Sequence, residues 1–208
     1  MRLQVVDHPL VSHKLTALRD ERTASPEFRR LTEELVTLLA YEATRDVRTE
    51  QVDIRTPVSP TTGVKLSYPR PLVVPTLRAG LGMLPGMLEL VPNARVGHLG
   101  LQRDERTAVA SQYYAKLPKN IEDSYVLLID PMLATGGSAV AALDMLTRAG
   151  GRHLRLVCIV AAPEGVAAVE RAYPSVPIFT PVVDRELNAH KFIVPGLGDF
   201  GDRLFGTI

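Results

Sequence analysis

One stretch near the middle of the 208-residue chain constrains the fold more than any other. Val126–Ile129 is a short apolar run that ends abruptly at Asp130. Such a run predicts a strand buried on both faces, as in a parallel sheet. A turn rich in glycine and hydroxyl groups follows at 131–138, and a helical pattern then continues to Gly150. The sequence therefore predicts a strand–turn–helix unit at the centre of an α/β sheet.

The turn between this strand and this helix has the composition of an anion-binding site. The start of a helix offers unpaired N–H groups and the positive end of the helix dipole, and glycine allows close approach of the backbone. The turn lacks both the lysine of a Walker loop and the G-x-G-x-x-G spacing. Asp130 would repel a phosphate alone, but it can accept hydrogen bonds from the ribose hydroxyls of a sugar phosphate. The alternative is a plain connection in which Asp130 only caps the backbone.

The segment DPMLATGGS resembles the phosphoribosyl-pyrophosphate (PRPP) loop of the type I phosphoribosyltransferases, in the form found in the uracil phosphoribosyltransferase family. Most of the superfamily places two adjacent acids here, whereas this chain has the Asp-Pro pair of the uracil enzymes. The resemblance implies that Asp130 is catalytic through its contact with the ribose. It assigns PRPP binding to Asp130, Pro131, Met132, Leu133, Ala134, Thr135, Gly136, Gly137 and Ser138, which we call the PRPP loop.

Two arginines follow other predicted strands. Arg78 comes after the strand Leu72–Pro75, and Arg103 comes after the strand Ala94–Leu101. An arginine at the end of a parallel strand can bind an anion with two hydrogen bonds, although Arg78 could instead satisfy carbonyls at a helix end. By the family resemblance both contact PRPP, and Arg103 joins Asp130 as a catalytic residue. Because ligands bind beyond the carboxyl ends of such strands, we expect these three residues to converge.

Two further segments predict hairpins or loops. Residues 51–71 alternate loosely between apolar and polar side chains, which indicates a two-stranded excursion. The polar stretch 102–118 is too long for a simple connection, so it predicts a functional loop or a projecting hairpin. It is similar to the flexible loop that closes over pyrophosphate in the family. Many uracil enzymes have Glu-Pro where this chain has Val109–Ala110, and loss of a proline loosens a loop.

The end of the chain, residues 184–208, is glycine-rich and lacks regular periodicity, and a frayed terminus is the simplest alternative for it. It is similar to the uracil-binding hood of the family, whose I-x-P-G-L-G-D signature matches Ile193–Asp199. We call residues 184–208 the hood. The resemblance implies PRPP contact by Asp199 and uracil contact by Ile193, Gly198, Asp199 and Phe200. Phe192 stands where many members have tyrosine, so a hydroxyl contact is lost there.

Composition narrows the remaining possibilities. The chain has 24 basic and 23 acidic residues, so a nucleic-acid partner that needs a broad basic face is not expected. No apolar run reaches membrane-spanning length, and Asp7 and Pro9 interrupt the start of the chain, so neither a membrane partner nor a signal peptide is expected. Cys158 lies in an apolar run and is expected to be a buried thiol. We expect one cytoplasmic domain over residues 1–208.

Together these features predict an α/β fold: a parallel twisted sheet covered by helices on both faces, with a hairpin excursion and a C-terminal base-binding hood. The resemblance implies formation of UMP and diphosphate from uracil and PRPP, with Mg²⁺ bound mainly by substrate oxygens. It also implies a homodimer or higher homo-oligomer, and it leaves open whether GTP is an effector. Asp199, a substrate phosphate and water remain candidates for the base at uracil N1. A purine-specific enzyme and an RNA-binding regulator on the same fold are the rival interpretations.

Overall fold

A computed structural model of the protein describes residues 3–67, 71–103 and 110–207. The α-helices in these ranges are α1 (Pro9–Arg19), α2 (Ser25–Ala43), α3 (Leu84–Leu90), α4 (Gly137–Arg148), α5 (Pro163–Ala172) and α6 (Phe200–Phe205), and a 3-10 helix spans Ala79–Met83. The strands are β1 (Leu3–Val5), β2 (Thr49–Arg55), β3 (Pro60–Leu66), β4 (Leu72–Leu77), β5 (Arg95–Val96), β6 (His98–Arg103), β7 (Ala110–Lys116), β8 (Tyr125–Ile129), β9 (Met132–Leu133), β10 (His153–Val157), β11 (Val160–Ala161), β12 (Ile178–Thr180), β13 (Glu186–Leu187) and β14 (Ile193–Val194).

The main sheet has the strand order β1-β12-β10-β8-β4-β6-β7, and β5 pairs with β4 just before β6. All neighbours pair in parallel except β6 and β7, which are antiparallel. The central strand β8 lies between β10 and β4, with Leu128 opposite both Leu156 and Val74. The predicted parallel sheet, centred on the apolar run before Asp130, is therefore confirmed.

Helices cover both faces of this sheet, as predicted. Every residue of β8 is buried, and its side chains alternate between two cores. Leu127 and Ile129 belong to the core under α1, α2, α3 and α6, whereas Val126 and Leu128 belong to the core under α4 and α5. Cys158 is fully buried, and this burial raises the pKa of its thiol to about 12. None of the helices in the described ranges is long and apolar enough to cross a membrane.

Two antiparallel hairpins extend from the parallel layer. β2 and β3 pair over their whole length and form a sheet of their own, which confirms the predicted excursion. β6 and β7 pair from His98 opposite Lys116 to Arg103 opposite Ala110, so the long polar stretch forms a hairpin. Residues 104–109 lie outside the described ranges, so the flexible loop expected there, including Val109, stays a prediction.

The hood is more regular than its sequence indicates. β13 and β14 pair in antiparallel fashion, and α6 follows with Asp199 as its N-cap, where the carboxylate accepts a hydrogen bond from the Asp202 N–H at 2.9 Å. Phe200 packs edge to face on Phe28 of α2 with ring centroids 5.2 Å apart, and Leu204 is also buried. The segment is thus irregular at 188–192 and 195–199, as expected, but it also contains a short strand pair and a helix, because burying these apolar side chains against α2 orders the backbone.

The amino ends of the strands are closed by a compact polar cluster. The guanidinium of Arg155 lies 3.9 Å from the centre of the Tyr125 ring and forms an ion pair with Asp46. The Tyr125 hydroxyl donates to Asp46 at 3.0 Å and to the carbonyl of Ala43. Partial burial alone would raise the pKa of Asp46, but the hydrogen bond and charge of Arg155 outweigh this effect and lower it. These side chains stabilise the edge of the sheet opposite the candidate site.

Candidate functional site

The three predicted strand-end residues lie on neighbouring strands at the carboxyl edge of the sheet. Asp130 directly follows β8 and Arg78 directly follows β4, and the two strands pair with Pro75 opposite Ile129. Arg103 is the last residue of β6, which is the next strand beside β4. The backbone thus brings the three positions to one edge, as expected from the topology. The Arg103 side chain lies outside the described part of the structure.

The PRPP loop surrounds a small polar cavity. This cavity has a volume of about 210 Å³ and is lined by Asp130, Met132, Leu133, Ala134, Thr135, Gly136, Ser138 and Ala139. Pro131 is not among the residues that line this cavity. Its carbonyl instead accepts hydrogen bonds from the N–H groups of Ile159 and Val160. Gly137, the remaining predicted residue, is the first residue of α4. The cavity therefore lies directly at the beginning of α4.

The start of α4 is suited to an anion. Gly136 is the N-cap with φ of 81°, and within the described chain its first turn contains neither a capping side chain nor an acid. Helix N–H groups and the helix dipole therefore favour negative charge at this end. A Cβ atom at position 136 would lie 2.7 Å from the Cβ of Ala168 and 2.9 Å from the carbonyl oxygen of Gly165. Both the backbone angle and the close packing of α5 require glycine here.

Asp130 is fixed by the backbone on both sides of the turn. Its N–H donates to the Val157 carbonyl at 3.1 Å, which continues the pairing of β8 with β10. Its carboxylate accepts a hydrogen bond of 3.4 Å from the Met132 N–H and remains half-buried beside the cavity. A carboxylate in this position accepts hydrogen bonds from hydroxyl groups more readily than it tolerates a bare phosphate.

A second, smaller cavity lies between the PRPP loop and the hood. It has a volume of about 140 Å³ and is lined by Met132, Ala134, Lys191, Phe192, Ile193, Gly198, Asp199 and Phe200. All four residues predicted to contact uracil are in this set. Ile193 and Phe200 are buried, whereas Gly198 and Asp199 are exposed. The cavity therefore has apolar walls and a rim of backbone and carboxylate groups, which suits a small flat polar ring.

A third cavity is built around Arg78. It has a volume of about 780 Å³ and is lined by Leu77, Arg78, Ala79, Leu101, Tyr113, Asp199, Gly201, Asp202, Phe205 and Thr207. Arg78 is exposed, and its side chain has no hydrogen-bond or ion-pair partner within the described ranges. Tyr113 of β7 is a lining residue that the sequence interpretation missed. Only the pairing of β7 with β6 brings it here.

Shared residues connect the three cavities. Met132 and Ala134 line both the loop cavity and the hood cavity, and Asp199 lines both the hood cavity and the Arg78 cavity. The arrangement offers helix N–H groups suited to an anion at the start of α4, a ring-sized pocket beside them and an exposed cation, Arg78, in the third cavity. It can therefore bind a phosphorylated sugar with a second anionic group beside a heterocycle.

A separate cavity of about 480 Å³ lies between α1, α2 and α3. Its lining includes Lys14, Arg30 and Glu34, and both cations pair with Glu34. Because Glu34 already compensates these positive charges, this cavity is less suited to an anionic ligand than the carboxyl edge of the sheet is.

Comparison with known proteins agrees with this geometry. The family model described as uracil phosphoribosyltransferase matches residues 5–207. A protein of Streptomyces avermitilis named uracil phosphoribosyltransferase is 62% identical over 209 residues, covering 100% of this chain and 99% of the relative. A protein of known structure from Aquifex aeolicus has a TM-score of 0.92 at 39% identity, covering 98% of this chain and 97% of its own.

A more distant structure supports the fold alone. Adenine phosphoribosyltransferase from Trypanosoma brucei, solved with AMP, pyrophosphate and ribose-5-phosphate, has a TM-score of 0.59 at 14% identity and covers 95% of this chain and 88% of its own. The sheet with its two helical layers is therefore the phosphoribosyltransferase fold. The family model matches nearly the whole chain, and a full-length relative is 62% identical. The chain therefore belongs to the uracil phosphoribosyltransferase family.

Proposed function

We propose that the protein transfers the 5-phosphoribosyl group of PRPP to N1 of uracil and forms UMP and diphosphate. The observation that carries this proposal is the set of three adjoining cavities with shared walls. PRPP has a phosphate at one end, a pyrophosphate at the other and a ribose between them, and uracil must approach the ribose from the side. The loop cavity, the Arg78 cavity and the hood cavity match these three requirements.

Each candidate residue has a role set by its position. The amides at the start of α4 would bind the 5′-phosphate, and Asp130 would accept hydrogen bonds from the ribose hydroxyls. Arg78 and Arg103 would stabilise the negative charge that develops on the departing pyrophosphate. Orientation would supply much of the remaining rate enhancement, with uracil N1 held in the hood cavity beside the anomeric carbon. Asp199 could contact both substrates because it lines the cavities proposed for both.

Magnesium fits this site as an ion carried largely by the substrate. Within the described ranges no cluster of three His, Cys, Asp or Glu side chains is arranged to hold a metal. Mg²⁺ typically keeps several waters and binds through one or two carboxylates together with substrate phosphates. Asp130 lines the loop cavity, and Asp199 and Asp202 line the Arg78 cavity, so these carboxylates would serve it. When bound, the ion supplies positive charge that neutralises the pyrophosphate leaving group.

The hood would select the base through backbone groups. The edge of uracil from O4 through N3–H to O2 presents an acceptor, a donor and an acceptor, which fixed amides and a carbonyl can match. Cytosine has a donor at position 4, so a backbone N–H would face an amine and remain unpaired. Such an unpaired polar group costs about 1–3 kcal/mol. The absence of a tyrosine hydroxyl at Phe192 leaves this backbone reading as the main source of selectivity.

The two rival functions differ in measurable ways. A purine-specific enzyme would need room for a bicyclic ring, and the hood cavity of about 140 Å³ favours the smaller pyrimidine. An RNA-binding regulator would need a basic surface, whereas the formal net charge is +1. RNA binding that weakens steeply with salt would support the regulator.

We further propose a homodimer or higher homo-oligomer in the cytoplasm. The support for the oligomer is the β2–β3 hairpin, which exposes apolar side chains to solvent: Val58 is 91% exposed and Val64 is 72% exposed. A two-stranded hairpin alone is marginally stable in water, so a second copy that covers it would stabilise both. Sedimentation of the protein and of the double variant Val58→Ser/Val64→Ser tests this, and an unchanged monomer in both would refute it. GTP is a candidate effector, and measuring the activity with and without added GTP tests this role.

The decisive experiment is a panel of bases with PRPP and Mg²⁺, following diphosphate release and identifying the nucleotide formed. We expect diphosphate and UMP with uracil, at least about tenfold less turnover with cytosine, and none with adenine or hypoxanthine. Faster turnover of a purine, or the absence of any product with uracil, would refute the proposed function.

A further inference from the structure

The turn between Ile193 and Gly198, two residues that line the hood cavity, is fixed by an ion pair between Arg19 and Asp184. The Gly196 N–H donates to the Asp184 carboxylate at 2.9 Å, and the Gly196 carbonyl accepts from Arg19 at 3.0 Å. Arg19 also bonds both oxygens of Asp184, at 3.0 and 2.6 Å. The Asp184 side chain is 4% exposed. The peptide groups on either side of Gly196 are therefore both bound by charged side chains, which makes stronger hydrogen bonds than neutral pairs do.

The next residue is fixed by a second arginine. One nitrogen of Arg203 donates to the carbonyls of Leu197 at 2.8 Å and Leu18 at 2.6 Å, and the other donates to the Asp20 carbonyl at 2.6 Å. Arg203 is 9% exposed, and its guanidinium lies 4.6 Å from the centre of the Phe28 ring. This burial lowers the pKa of Arg203. A buried cation is costly unless its hydrogen bonds are satisfied, and here the backbone of two segments satisfies them.

Both arginines connect the hood to the same place, the C-terminal end of α1. Arg19 is the last residue of α1, and Arg203 bonds the carbonyls of the residues on either side of it. We call Arg19, Asp184 and Arg203 the α1 clamp. The two residues that it fixes, Gly196 and Leu197, lie in the sequence between Ile193 and Gly198, which both line the hood cavity. None of the clamp residues lines that cavity among the described residues.

From this geometry we infer that the α1 clamp consists of positioning residues that set the base selectivity of the hood. The inference rests on the proposed function and extends it. Backbone groups distinguish bases only if their positions are fixed, and Gly196, with φ of 62°, is a flexible residue that holds one conformation only when its neighbours fix it. The PRPP loop has its own support in α4 and β8. Most hood residues that line the Arg78 cavity belong to α6 or its cap, and Phe200 and Leu204 anchor α6 in the core. Loosening the clamp should therefore impair recognition of the base far more than recognition of PRPP.

Two clamp variants and one matched control test this inference in the full-length protein. Arg203→Lys keeps the charge but cannot form the same planar set of hydrogen bonds. Asp184→Asn keeps the shape and removes the charge. The control is Arg155→Lys, because Arg155 is also buried, with 11% of its side chain exposed, and also stacks on an aromatic ring, at the other edge of the sheet. The readouts are KM for uracil, KM for PRPP, the uracil-to-cytosine ratio of kcat/KM, and Tm.

We expect each clamp variant to raise KM for uracil and to lower the uracil-to-cytosine ratio by about tenfold, since small misplacements near a reacting group have large effects. KM for PRPP should stay within about twofold, and the control should change neither base parameter at a comparable loss of Tm. Unchanged base parameters in Asp184→Asn, or an equal change in the control, would overturn the inference even if Arg203→Lys does not fold. Failure of the proposed function is distinguishable, because it appears as inactivity of the unmodified protein.

Discussion

The PRPP loop and the hood solve the problem of holding a ligand in different ways. The PRPP loop is one contiguous segment between β8 and α4, and its geometry follows from a strand end, a glycine and a helix start. The hood depends on contacts with α1, such as the Arg19–Asp184 and Arg203–Leu18 bonds, which join residues 165 and 185 positions apart. The first region is specified locally, whereas the second exists only when the whole domain is folded.

The largest expected effect concerns the chemistry of the first region. Asp130→Asn and Arg103→Ala should each lower kcat/KM by about 10²–10³-fold, as expected when one charge that stabilises the transition state is lost. Stability should hardly change in Asp130→Asn, because asparagine keeps the shape of the half-buried side chain and an oxygen that can accept from the Met132 N–H. Steady-state kinetics beside thermal unfolding measures this. A variant with the kcat/KM of the unmodified protein would remove that residue from the catalytic assignment.

The backbone of the PRPP loop can be tested without touching a charge. Gly136→Ala should destabilise the protein by about 1–3 kcal/mol, because alanine is strained in this conformation and its Cβ would meet α5. We expect KM for PRPP to rise while the uracil-to-cytosine ratio stays constant. Urea unfolding measures the loss of stability. Kinetics at varied PRPP and base concentrations measure KM for PRPP and the uracil-to-cytosine ratio. Gly137→Ala is a suitable control, because a Cβ there would meet nothing closer than 3.8 Å. Equal effects at both positions would contradict the assigned role of Gly136.

The point at which the two regions meet is Asp199. Asp199→Asn should retain the cap of α6, since asparagine caps a helix as well as aspartate does, and should remove only the negative charge. If this carboxylate assists deprotonation of uracil N1 or binds the PRPP side, kcat should fall by about tenfold with unchanged Tm. Full activity in this variant would leave water or a substrate phosphate as the base.

The smallest expected effect lies at the opposite edge of the sheet, where neither region is involved. Asp46 has a lowered pKa in the folded state, so its ion pair contributes stability above the pKa of about 4 in the unfolded chain and loses it as pH falls below. The Asp46 side chain is 70% exposed, so the contribution should be only about 0.2–1 kcal/mol. Urea unfolding of the protein and of Asp46→Asn should differ at pH 7, and the difference should shrink as pH falls below the unfolded pKa of about 4. A difference that grows at low pH would contradict the lowered pKa.

The same contrast explains what the sequence could predict. Asp130 and Arg78 were placed correctly because an apolar run marks each strand and the parallel topology brings strand ends together. The two helical layers followed from the alternation of strands and helices. α6 was missed although its signals were present: Asp199 is a good N-cap, and Phe200 and Leu204 have helical spacing.

The clamp residues had no comparable local signal. Arg203 lies in a charged, glycine-rich tail, where an arginine is normally exposed, and its partners are backbone carbonyls of Leu18, Asp20 and Leu197. Asp184 is buried only because Arg19 lies opposite it. Tyr113 reaches the Arg78 cavity only through the register of β6 and β7, and no sequence pattern reports that register across the intervening loop. Tertiary contacts decide these positions.

Removing the tail would not separate the two regions, because Leu197, Phe200 and Leu204 belong to the core. The most direct measurement is calorimetric titration of PRPP with Mg²⁺, in the absence of any base, into the unmodified protein and into Asp130→Asn and Asp184→Asn. The predicted result is binding by the unmodified protein, loss of binding in Asp130→Asn and retained binding in Asp184→Asn. No affinity of the unmodified protein for PRPP, or an equal loss in both variants, would contradict the division into a sugar-phosphate loop and a base-selecting hood.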